Sequence, residues 1–105
     1  MQSAFPGQFA PIPSSFQAIA VTNGGTSTLT LPNPAATGRP KYALVQVLGA
    51  NINWRDDGAA PTNAAGGGMV LLSGGDAVGF VGNLATATFI STQAGGSTLL
   101  VSYYS

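Results

Sequence analysis

The stretch Lys41 to Thr62, KYALVQVLGANINWRDDGAAPT, decides how the fold is read. Its first half sets Tyr42, Leu44, Gln46 and Leu48 against Ala43, Val45 and Val47. Both sets are largely apolar, so Lys41 to Ala50 is expected to be a central strand. Asn51 to Arg55 either continues it after a bulge at Gly49 or forms the next strand. Ile52 and Trp54 share a face and are expected in the core, with Arg55 on the opposite face. Asp56-Asp57-Gly58 ends the regularity: a carboxylate accepts backbone N–H bonds there and Gly58 supplies a positive φ. Trp54, Asp56, Asp57 and Gly58 are thus expected to form a structural corner that fixes strand register. Arg55 has two open roles, a local pair with an aspartate or a charged contact to a partner.

Toward the N-terminus, Phe16 to Val21 and Ser27 to Leu31 are short β-like runs around Asn23-Gly24-Gly25, and together they predict a hairpin. Residues 1–14 interleave Phe5, Phe9 and Ile12 with Pro6, Pro11 and Pro13, which suits neither a helix nor a sheet interior. They are expected to be an extended arm, with Phe5, Phe9 and Ile12 docking on a neighbouring subunit or partner. Toward the C-terminus, strands are predicted over Met69 to Leu72, Asp76 to Val81, Leu84 to Ser91 and Thr98 to Tyr104, with glycine-rich turns between them. About eight short strands, with a turn every 8–12 residues or so, give a single all-β domain over 15–105. The expected form is an antiparallel β-sandwich, jelly-roll-like.

Composition narrows function. Charged residues are 6% of the 105, Arg39, Lys41 and Arg55 against Asp56, Asp57 and Asp76, whereas an ordinary soluble domain has about 25%. Such a surface is expected to be covered by itself or by a partner. Three basic residues cannot neutralise a phosphate backbone, so nucleic acid is not an expected partner. The start lacks a signal-peptide pattern and no apolar run spans about 20 residues, so synthesis in the cytoplasm and no membrane partner are expected.

The sequence holds no His, Cys or Glu. Hydroxyl nucleophiles therefore lack a base, and Asp56-Asp57 lacks the ligand spacing of a calcium loop. None of Gly66-Gly67-Gly68, Gly74-Gly75 or Gly95-Gly96 is followed by the lysine and helix of a phosphate loop. No enzyme activity, metal or cofactor is expected. A sugar-stacking platform of Trp54, Tyr42, Tyr103 and Tyr104 is weighed against core roles, which are preferred for Trp54 and Tyr103.

N-x-N-W-R-D-D-G-x-x-P-T at Asn51 to Thr62, M-x-L-L-x-G-G-D at Met69 to Asp76, N-L-x-T-x-x-F-I at Asn83 to Ile90 and L-L-V-S-Y-Y at Leu99 to Tyr104 resemble small structural proteins of tailed bacteriophages. The resemblance covers roughly Tyr42 to Tyr104 and leaves out the arm and the first hairpin. It implies a virion component, a capsid cement or decoration protein. Such a protein would form a homo-oligomer, dimer or trimer, on the outer surface of the major capsid protein lattice. The alternative is a receptor- or glycan-binding module of a tail or fibre. The resemblance carries no catalytic or ligand residues.

Overall fold

The computed structural model describes residues 10–31, 40–81 and 84–105. Eight strands form: β1 (Gln17–Val21), β2 (Ser27–Thr28), β3 (Tyr42–Leu48), β4 (Ile52–Arg55), β5 (Met69–Leu71), β6 (Val78–Val81), β7 (Thr88–Ser91) and β8 (Ser97–Tyr104). They build two antiparallel four-stranded sheets, ordered β1-β8-β3-β6 and β2-β7-β4-β5. The pairings nest: β1 with β8, β2 with β7, β3 with β6 and β4 with β5. One core holds Val21, Val45, Val47, Phe80, Leu99 and Val101 from the first sheet and Ile52, Leu71 and Phe89 from the second. Each sheet therefore turns one face inward and one outward, as strand alternation requires.

β3 is central in its sheet, between β8 and β6, and its Ala43, Val45 and Val47 set packs inward. Gly49, at φ +96°, ends it, and the chain crosses to the other sheet. Asn51 to Arg55 thus belongs to the next strand and does not prolong β3.

Three expectations are corrected. β1 and β2 form no hairpin, because they lie in different sheets. The Thr22 carbonyl accepts from Ser91 N–H at 2.9 Å and the Asn23 amide donates to the Ser91 carbonyl at 3.1 Å. The turn is fastened to β7 and carries the chain across the sandwich, burying Val21 on one side and Leu29 on the other. The strand expected from Leu84 to Ser91 begins only at Thr88; Leu84–Thr86 is a 3-10 turn closed by Ala87 N–H on the Leu84 carbonyl at 3.3 Å. Leu84 and Ala87, three apart, both reach the core, which a strand's alternation could not arrange.

The third concerns residues 10–14. Ala10 and Ser105 exchange N–H···O bonds of 3.0 and 2.9 Å, Ile12 N–H donates to the Tyr103 carbonyl at 2.9 Å, and Ile12 is 4% exposed within the core. Ser15 Oγ lies 3.3 Å from both the N–H and the carbonyl oxygen of Tyr103, joining this segment to the start of β1. Ile12 is thus held inside the domain and does not face a partner. Phe5 and Phe9 lie outside the described residues.

Candidate functional site

The Asn51–Thr62 corner sits on β4 and the loop behind it. Ile52 is fully buried and Trp54 is half-buried, its ring edge-on to Phe80 at 4.6 Å. On the opposite face, Arg55 Nε donates to Asp57 Oδ1 at 3.0 Å and Nη2 to Asp57 Oδ2 at 2.5 Å, so the pair is bidentate and local. The hydrogen bond from Arg55 holds the Asp57 carboxyl below its usual range, and the same bond raises Arg55. Asp57 Oδ1 also accepts from Ala59 N–H at 3.4 Å, and Gly58 has φ +87°. Arg55 is thus paired locally with Asp57.

Residues 61–68 fold back over this face. The Asn53 amide, 3% exposed, donates to the Thr62 and Ala64 carbonyls, both at 2.9 Å. A Cβ at Gly68 would lie 2.8 Å from the Trp54 carbonyl oxygen, and one at Gly67 would collide with Thr62. The glycines are there for this close approach, not to cradle a phosphate. An open groove of about 530 Å³ remains, lined by Arg55, Asp56, Asp57, Thr62 and Met69 among others. Among the described residues it offers a carboxylate and a neutralised ion pair but no second acid or base. Among the described residues no group of three or more His, Cys, Asp or Glu could hold a metal ion.

The outer face of the β1-β8-β3-β6 sheet is different. Register places Ala18 beside Leu100, Ala20 beside Thr98, Leu44 beside Ser102 and Gly79, Gln46 beside Leu100, and Leu48 beside Thr98. None of these outward ladder positions is charged. Phe16, just before β1, is 65% exposed and lines a shallow depression with Leu44, Leu100 and Ser102. Leu48 and Val81 are exposed at 49% and 60%. The β2-β7-β4-β5 sheet has its own loop bonded over part of its outer face, whereas the outward ladder positions of the β1-β8-β3-β6 sheet are uncharged and, among them, Gln46 donates to the Gly75 carbonyl of the loop before β6 at 3.3 Å.

This face is what the sequence expectations missed. Tyr42, Leu44, Gln46 and Leu48 read as one apolar side of a strand buried on both faces, and only Tyr42 is fully buried, against Tyr104 at 5.4 Å. The signal was already there: an apolar second face is also what an exposed contact surface looks like. Comparison with known protein families, with curated protein sequences and with solved structures returned no match.

Proposed function

We propose that the chain is a non-enzymatic structural protein of a virion, a decoration or cement protein that docks through the outer face of its β1-β8-β3-β6 sheet. The observation that carries this reading is the contrast between the two sheets. On one outer face the chain's own loop bonds to Asn53 and leaves Val70 exposed beside it, while the other presents Phe16, Ala18, Leu44, Leu48 and Leu100 with no charge among them. Contiguous exposed apolar surface of this kind marks an interaction site. The nested pairing supports a jelly roll, since a long hairpin of strands rolled into two sheets pairs first with last, second with seventh, and so inward. That architecture recurs in viral capsid domains. The partner surface this face fits is apolar and free of uncompensated charge, because nothing on the face could neutralise a buried ion.

Binding the chain to undecorated capsids tests the proposal. Leu100→Lys and Leu44→Lys, on the face, are expected to reduce attachment at least tenfold, because burying one such side chain contributes about 1.5–3 kcal/mol. Arg55→Ala, behind the other sheet, is expected to bind as the parent does and to lose little stability, its pair being exposed. Folded face variants that still attach would overturn the proposal. The groove beside Asp56 favours a second reading, a glycan-binding module, although no aromatic side chain lines it for sugar stacking. Clear hits on a glycan array that vanish with Asp56→Ala would select that reading.

A further inference from the structure

A single copy's face is small for stable docking. Four strands about 4.8 Å apart, with the longest rising about 3.3 Å per residue over Ser97–Tyr104, project roughly 500 Å². A standard interface buries about 800 Å² on each side. A way to enlarge the face is visible at one edge of the same sheet.

β6 is the outer strand of that sheet, hydrogen-bonded among the described residues to β3 on one side only. Its sequence, VGFV, holds none of the charges, prolines or bulges that usually guard an open edge. Val78 and Val81 are exposed at 40% and 60%. Beneath the edge, between the two sheets, opens a cleft of about 230 Å³ lined by Val47, Leu71, Leu72 and Val78.

Two charges flank this edge, one at each end and opposite in sign. Asp76 lies just before β6. Lys41 lies just before Tyr42, whose partner across the ladder is Val81 at the far end of β6. We infer that two copies of this chain pair edge to edge through β6, antiparallel about a two-fold axis normal to the sheet. Antiparallel pairing brings Asp76 of each copy to the Lys41 end of the other. The backbones there are two strand spacings apart, about 10 Å, which a lysine and an aspartate side chain can bridge. A parallel or head-to-tail arrangement would not satisfy both ends.

A two-fold normal to the sheet also keeps both outer faces on the same side. The two sheets become one of eight strands, with the uncharged face doubled and the open edges of β6 consumed. The use of the doubled face rests on the docking reading above. The pairing itself is tested on the free chain, so either can fail alone.

Sedimentation equilibrium on the full chain is the test. The expected result is a monomer–dimer equilibrium, with Val81→Lys and Val78→Lys monomeric and unchanged in circular dichroism. Lys41→Asp and Asp76→Lys are each expected to weaken the dimer roughly fivefold, since two symmetry-related exposed pairs are lost together. The double charge swap is expected to restore it. The inference is overturned by a parent chain that stays monomeric or forms trimers, by lysine variants that still dimerise, or by a double swap that recovers nothing.

Discussion

The buried amide of Asn53 donates to the main-chain carbonyl of Thr62 at 2.9 Å, and through this bond a strand in the second sheet holds the loop that closes its own outer face. A second bond of the same length reaches Ala64. Asn53→Ala removes both, and the expected loss of stability is about 1–3 kcal/mol. Hydrogen exchange is expected to speed up at Thr62 and Gly67, whose N–H groups bond within this loop, while the β3–β8 ladder stays protected. Unchanged protection in the loop would show that Asn53 does not fasten it.

Gly79 faces the ring of Tyr42 across the β3–β6 ladder. A Cβ there would fall 2.6 and 2.8 Å from Cε1 and Cζ of that ring, so one must move. Gly79→Ala is expected to cost about 1–3 kcal/mol, as overpacking does, although the position is exposed and ordinarily tolerant. Chemical denaturation of the variant checks this. Tyr42→Leu in the same background should recover part of the loss, because it frees the space over the glycine.

Ile12 sets where the N-terminal segment can be cut. Ile12→Ala is expected to destabilise by about 2–4 kcal/mol through the cavity it leaves. A chain starting at Ala10 should have a higher thermal midpoint than one starting at Ser15. The second deletion also removes the backbone bonds to Tyr103 and Ser105. Equal midpoints for both deletions would count against a structural role for Ile12.

Alkaline pH is expected to unfold the protein through its tyrosines. Burial pushes the Tyr103 phenol up to about 12, and Tyr42 is raised by burial and then by Tyr104. The fold prefers the neutral phenols, and the unfolded chain loses those protons first, near pH 10. The stabilisation is therefore complete below about pH 10 and is lost as pH rises through the folded value of Tyr103. Denaturant midpoints should fall steeply above about pH 10, and Tyr103→Phe should flatten that fall. On the acid side, Asp57 has a depressed pKa, so its contribution is present at neutral pH and fades as pH drops through the folded value. Because the pair is exposed, added salt should erase most of that effect.

Most strands were legible in the sequence, because they announce themselves locally, whereas the 3-10 turn at Leu84–Thr86 read as the start of β7. Alternation marks β3 and β8, and Gly49, Gly58 and Gly74 adopt the positive φ values that the turns needed. Partners were not legible. Asn23-Gly24-Gly25 has the composition of a hairpin turn, and nothing local reveals that Ser91, on a distant strand, captures it. The corner was half legible: Arg55 and Asp57 are two residues apart and found each other, whereas the burial of Asn53 depends on a loop returning from residues 62 and 64. The uncharged outer face was hidden for a different reason. Alternation tells which side chains share a face, and only the assembled sandwich tells which face is left open.

The nested pairing has a consequence in time. β1 comes early in the sequence, yet among the described residues it pairs only with β8, so Gln17 and Val101, separated by most of the chain, must meet before the sheet exists. Contacts so distant in sequence are slow to form. β8 also separates β1 from β3, so until it inserts, that sheet is two disconnected pieces and Ala18, Leu100 and Leu44 share no surface. The proposed docking face is therefore complete only once β8 has inserted, late in folding.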